Sequence, residues 1–225
     1  MARVPAVRLV LASASPRRAE ILRDAGFAFE ARPANVHESA RKGETPAEHV
    51  KRLAREKALA ASLGIEGDAV VIGADTVVVA GRKILGKPKS RGDARRMLRL
   101  LSGRRHRVLT GLAILRVVRQ PGAHRWRRFG FLRSEVESTN VWFARLSHRE
   151  IDEYVATGEP DDKAGAYAVQ GRGGRFVMRI EGCYFNVVGL PLARLYRMLQ
   201  MTVPKPQDPA KNKRRPEPAG RRRKA

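Results

Sequence analysis

Residues 7–13 read VRLVLAS, an apolar run of strand length closed by small residues. The pattern then turns helical: Ser15 is the predicted N-cap, Pro16 the first helical position, and Gly26 the stop. The first unit is therefore strand, tight turn, helix. Residues 27–33 alternate as an extended strand, and a polar stretch follows through 35–44. Thr45, Pro46 and Glu48 carry the signature of a second helix start. It runs to about Leu63, with Val50, Leu53, Ala54, Lys57 and Ala58 near helical spacing.

The strongest strand signal is AVVIGADTVVVA at 69–80, with an interruption expected at Gly73-Ala74-Asp75-Thr76. Residues 91–101 form a helix with Ala94, Met97, Leu98 and Leu101 on one face. Segments 107–118 and 135–143 read as strands joined through a basic stretch, and 147–157 as a helix ended by Gly158-Glu159-Pro160. A strand at 175–180, a turn at Glu181-Gly182 and a helix after Pro191 complete the pattern. Strands and helices mix without regular βαβ alternation, which predicts a mixed α/β sandwich around a single sheet.

Of the 225 residues, 43% are hydrophobic, enough for a real core. No apolar run approaches the roughly 18–20 residues of a membrane helix, and the first residues lack the flanks of a secretory signal. A cytoplasmic location is expected. One cysteine, Cys183, excludes an internal disulfide framework and is expected to be a buried, inert thiol. The net charge of +24 suggests nucleic acid until its distribution is counted. Segment 204–225 holds nine Lys/Arg and two Asp/Glu, a local +7, and 116–133 holds six Arg and no acid, a further +6. Thirteen of the 24 excess charges thus sit in two segments expected outside the core. The basic residues divide into 35 Arg and 11 Lys, a bias that GC-rich coding can produce without any binding role.

Several residues could carry chemistry. The turn at 13–18 crowds Ser13, Ser15, Arg17 and Arg18 at a helix start, which suits an anion or an ordinary capped helix. Asp75 lies inside a run of Val and Ile, so its carboxylate needs a partner, a metal ion or water being two options. Glu38 is a second carboxylate by type, not by spacing. Lys57, Lys87 and Lys163 could meet phosphate oxygens as point charges. Gln170, before Gly171-Arg172-Gly173-Gly174, offers an amide able to pair with a base edge. There is no GxxxxGK[ST] loop, HExxH pairing or GxSxG elbow.

The blocks LASASPRR (11–18), IGADTVV (72–78), ILGKP (84–88), LSGRRHRVLT (101–110), YVATGEPDDKAGAYAVQGRGGRFV (154–177) and EGCYFNVVGLPL (181–192) occur in order and well separated. In them the chain closely resembles the Maf family of nucleoside triphosphate pyrophosphatases. The resemblance covers a domain at 1–202, leaving a basic insert at about 119–133 and a basic C-terminal tail at 203–225, expected to be disordered. It implies a single-domain α/β/α sandwich around a mixed sheet with a nucleotide-binding cleft, of the Maf/ITPase type and often dimeric. It also implies hydrolysis of a nucleoside triphosphate to the monophosphate and pyrophosphate with a divalent cation, Mg2+ or Mn2+. By the same resemblance Asp75 is the general base and a metal ligand, and Glu38 completes the metal or water site. Lys57 and Lys87 face the phosphates, Ser13, Arg17 and Arg18 form the substrate turn, and Asp162 and Lys163 match a substrate-contacting pair. Arg17, Thr76 and Gln170 match the branch acting on dTTP and UTP, whereas the 7-methyl-GTP branch usually has Glu where Gln170 stands. His37 replaces an acid common in the family. The rival reading is a non-enzymatic nucleic-acid or division-associated binding protein, with the tail as a candidate for weak nucleic-acid contact.

Overall fold

The computed structural model describes residues 7–118 and 127–202 of the chain. Among these residues seven strands, β1 (Arg8–Leu11), β2 (Phe29–Ala31), β3 (Ala69–Ala80), β4 (Lys83–Leu85), β5 (Arg105–Val118), β6 (Arg127–Phe143) and β7 (Val177–Glu181), make one sheet. Its order is β2-β1-β3-β5-β6-β7, with β4 on the β1 side of β3. β1, β2 and β3 are parallel and the remaining pairs antiparallel, so the sheet is mixed as expected.

Among the described residues six α-helices cover it: α1 (Pro16–Asp24), α2 (Pro46–Ala61), α3 (Arg91–Leu101), α4 (His148–Ala156), α5 (Tyr184–Val188) and α6 (Leu192–Thr202). The odd-numbered positions of β3, such as Val71 and Val77, face α2 through Val50, Ala54 and Ala58. The even-numbered Val70 and Ile72 face α1 and α6 through Ile21, Leu22, Leu195 and Met198. Farther along that second face, Val78 and Val108 pack on α3 and α4. The period-2 alternation of a doubly covered strand thus produces an α/β/α sandwich.

Local signals explain the helix starts. Thr45 and Ser147 each form a complete capping box, with Glu48 and Glu150 respectively. Ser15 has the backbone of an N-cap, but its side chain makes no capping bond; instead its N–H donates to Ser13 Oγ at 3.2 Å.

Three expectations need correction. β3 runs unbroken through Gly73-Ala74-Asp75-Thr76 because β5 pairs with it along that whole stretch. The segment called an insert is in part β6, whose residues from 127 onward pair with β5, and Leu132 packs against the α2-side core. Its remainder, 119–126, and the tail at 203–225 lie outside the described residues. Cys183 is only half-buried, at the start of α5.

His106 gives the core a pH dependence. It is 2% exposed, edge-on to Phe143 and Tyr167, with Nε2 sharing a 2.9 Å hydrogen bond with the Tyr167 hydroxyl. Its Nδ1 has no partner among the described residues, and burial pushes its pKa from 6.5 down to about 4. As pH falls below 6.5 the unfolded chain takes up a proton that the folded state refuses, so stability drops until the folded pKa is reached. About 2 kcal/mol should be lost between pH 6.5 and 5. Thermal unfolding across that window should show a shallower slope in His106→Phe than in the wild type.

Candidate functional site

Two helices lie on opposite faces at the carboxyl ends of β1 and β3: α1 leaves β1 on one side, and α2 enters β3 from the other. Open sheets bind ligands where the connections diverge in this way. Here the crevice is widened by a gap in the sheet. β1 pairs with β3 only at residues 69–72 and β4 only at 78–80, so the β3 edge between them has no strand partner among the described residues. A cleft of about 580 Å³ opens there, a size suited to a nucleotide.

Two glycines bring α2 to the site. A Cβ on Gly73 would lie 2.1 Å from the Ala54 carbonyl oxygen, and one on Gly111 would lie 2.1 Å from that of Val50. Gly111 pairs directly with Asp75, so the helix backbone rests on the sheet beside the carboxylate. From that position Lys57 Nζ reaches Asp75 Oδ1 at 2.7 Å and Glu38 Oε1 at 2.6 Å. Lys57 and Asp75 are buried, while Glu38 comes from the irregular segment after β2 and is more than half exposed. Burial pushes the Glu38 carboxyl up, but the Lys57 hydrogen bond and the charges of Lys57, Lys87 and Arg18 hold it below the usual carboxylate range.

Arg18 fixes the opposite wall. Its guanidinium donates to the Ala74 and Gly189 carbonyls at 3.0 and 2.8 Å, to Ser13 Oγ at 3.1 Å and to Thr76 Oγ1 at 3.0 Å. The Ala74 carbonyl belongs to the unpaired edge of β3, so Arg18 takes the place of a missing strand. Through these four bonds Arg18 braces Ser13 and Thr76 at the cleft wall. Thr76 continues the network to Thr110 at 2.9 Å, and Thr110 donates to the Asn186 carbonyl at 3.3 Å.

The basic rim faces the cleft. Arg17 reaches Asp162 at 3.4 Å, and Lys163 also pairs with Asp162. Burial raises the Asp162 carboxyl, but the Lys163 and Arg17 contacts outweigh it, for a net lowering. Lys87 is exposed on the loop after β4, and Gln170 is exposed in the turn after Ala168. Ser13, Arg17, Arg18, Glu38, Lys57, Asp75, Thr76, Lys87, Asp162, Lys163 and Gln170 all line this one cleft. His37 is exposed and does not line it.

Sequence reasoning missed His49, which lines the cleft with Leu53 and Lys57 on one α2 face. The i, i+4, i+8 spacing was the available signal. It also missed Tyr167 and the support beneath the Gln170 turn, neither of which has a local signature.

Two carboxylates and several cations around a nucleotide-sized crevice can hold a polyphosphate. The donors suit a hard cation: Mg2+ takes one or two carboxylates and completes its shell with phosphate oxygens and water. Lys57 contacts one oxygen of each carboxylate, and the other two have no partner among the described residues.

Residues 8–202 match the Maf-like protein family. A dTTP/UTP pyrophosphatase from Vibrio cholerae is 48% identical over 192 residues, covering 85% of this chain and 96% of that protein. A dTTP/UTP pyrophosphatase from Anaeromyxobacter dehalogenans is 51% identical over 195 residues, covering 87% and 94%. A solved dITP/XTP pyrophosphatase from Mycobacterium abscessus aligns over 88% of this chain and 99% of its own, with 16% identity and a TM-score of 0.39.

Proposed function

The chain belongs to the Maf family, and from that premise we propose that it hydrolyses dTTP and UTP to the monophosphate and pyrophosphate, clearing these nucleotides from the cytoplasmic pool. The observation that carries this reading is the meeting of Asp75, Glu38 and Lys57 in a cleft rimmed by Arg17, Lys87 and Lys163. Water attacks the α-phosphorus, a new P–O bond forms, the bond to the β-phosphate bridging oxygen breaks, and pyrophosphate leaves. Asp75 accepts the proton of the attacking water and orients its lone pair. Lys57 holds Asp75 and Glu38 in place before substrate binds, and Lys57 and Lys87 then offset charge on the phosphates. Arg17 and Lys163 bind the far end of the triphosphate, since among the described residues both are ion-paired only to the exposed Asp162. Glu38 and Asp75 would hold a divalent cation, Mg2+ or Mn2+, which supplies positive charge to the phosphate oxygens.

Gln170 reads the base. Its amide offers a donor and an acceptor, matching the O4 and N3–H of uracil or thymine. A glutamate there would offer acceptors only, the pattern suited to a purine carrying N–H donors such as 7-methyl-guanine. Measured with Mg2+ and with Mn2+, pyrophosphate release should be fastest from dTTP and UTP in the wild type. Gln170→Glu should lower kcat/KM for UTP relative to 7-methyl-GTP by about tenfold or more. Equal rates from all nucleotides, or unchanged discrimination in the variant, would remove this assignment.

A further inference from the structure

Gln170 sits in a turn with no regular hydrogen-bonded ladder of its own, yet a base reader must be held in register. The turn is fastened at both ends to one carboxylate. On its near side, the Ala168 N–H donates to the Tyr154 hydroxyl oxygen at 3.2 Å, and that hydroxyl donates to Glu159 Oε1 at 2.8 Å. On its far side, the Gly173 N–H donates to Glu159 Oε1 at 3.0 Å and the Arg172 N–H to Oε2 at 2.9 Å. Tyr154 comes from α4 and is fully buried, and Glu159 follows in the Gly158-Glu159-Pro160 turn. The anchor therefore stands on α4 and the turn that ends it, outside the 168–173 segment.

The glycines of the turn leave room for this contact. A Cβ on Gly171 would lie 2.5 Å from a Glu159 carboxylate oxygen, and one on Gly173 would lie 2.6 Å from the Tyr154 hydroxyl. The run read from the sequence as permissive backbone is thus a backbone pressed against a clamp. Burial raises the Glu159 carboxyl, but the Gly173, Arg172 and Tyr154 donors outweigh it and favour the carboxylate.

We propose that Tyr154 and Glu159 are positioning residues that clamp the 168–173 turn so that Gln170 meets the nucleobase, making them specificity determinants remote from the phosphates. This rests on the reading of the cleft as a pyrimidine nucleotide site. Neither residue lines the cleft, so both act through Gln170. Glu159→Gln replaces one acceptor oxygen with an NH2 that opposes donors already aimed at it. Tyr154→Phe leaves the buried Ala168 N–H without its acceptor.

A double-mutant cycle tests the clamp, with pyrophosphate release from UTP and GTP as the readout. In the wild-type background, Glu159→Gln should raise KM for UTP about tenfold, keep kcat within about threefold, and narrow UTP-over-GTP discrimination about tenfold. In the Gln170→Ala background, the same substitution should change KM and discrimination less than about twofold, because its effect has already been removed. Tyr154→Phe should follow the same pattern and serves if Glu159→Gln does not fold. Additive effects in the two backgrounds, or unchanged KM and discrimination in the wild-type background, would overturn the clamp. A wild type that releases no pyrophosphate from UTP or dTTP would overturn the pyrimidine reading instead.

Discussion

Asp75→Asn should lower kcat for pyrophosphate release from UTP by about three to four orders of magnitude while leaving KM within a few-fold. The amide is nearly the same shape but cannot take a proton from water, and general-base catalysis commonly supplies about 10²–10⁴-fold. Loss of the negative charge also releases one of the two partners that fix Lys57, adding to the effect. The fold should survive, because Glu38 still pairs with the buried ammonium. A loss of about 1–3 kcal/mol is expected for weakening a buried pair whose second partner remains. Steady-state kinetics beside thermal unfolding separate the two effects. A variant retaining more than a tenth of the wild-type kcat would show that Asp75 is not the base.

The second large effect is structural. Gly73→Ala should destabilise the protein by about 3 kcal/mol or more, near 10 °C in Tm for a chain of this size. The obstacles are the Ala54 carbonyl oxygen at 2.1 Å and the Ala58 nitrogen at 2.9 Å, both helix backbone, so no side-chain rotation relieves the contact. α2 must lift from the sheet, and Lys57 then withdraws from Asp75, so activity should fall further than stability alone explains. Gly86→Ala is the control: nothing lies within 4 Å of its added Cβ, and its Tm should barely move. Equal Tm values for the two variants would contradict the close approach of helix and sheet.

Gly73 also shows where sequence reading stops. Gly73-Ala74-Asp75-Thr76 has low strand propensity and reads locally as a break, yet β3 continues through it. The deciding facts are tertiary: β5 supplies a continuous partner, and α2 needs a surface without side chains. By contrast, the boundaries of α3 match residue for residue, and the start of α2 is the one its capping box announces. Those signals are complete within a few residues of chain. The gap between β1 and β4 depends on pairing between segments far apart, so no local pattern announces it.

The candidate site was legible to different depths for the same reason. Asp75 stood out because a carboxylate among Val and Ile demands a partner, and the partner proved to be Lys57. Glu38 lies in an irregular stretch where spacing carries no information, so residue type and the family resemblance were what nominated it. Arg18 lines the cleft as expected of a substrate-contacting residue, and its hydrogen bonds to Ala74, Gly189, Ser13 and Thr76 also make it a brace for the cleft wall. Glu159 gave only a helix-stop signal and Tyr154 only a place inside a helix, although they grip the turn that carries Gln170. The net charge of +24 pointed first to nucleic acid. Arg17, Lys57, Lys87 and Lys163 instead converge on a crevice of nucleotide dimensions.

In the proposed reaction water attacks the α-phosphorus. Turnover of UTP in H2(18)O, with mass analysis of both products, tests it directly. Attack at that atom places one (18)O in the uridine monophosphate and none in the pyrophosphate. Label in the pyrophosphate, or release of orthophosphate with uridine diphosphate, would contradict it.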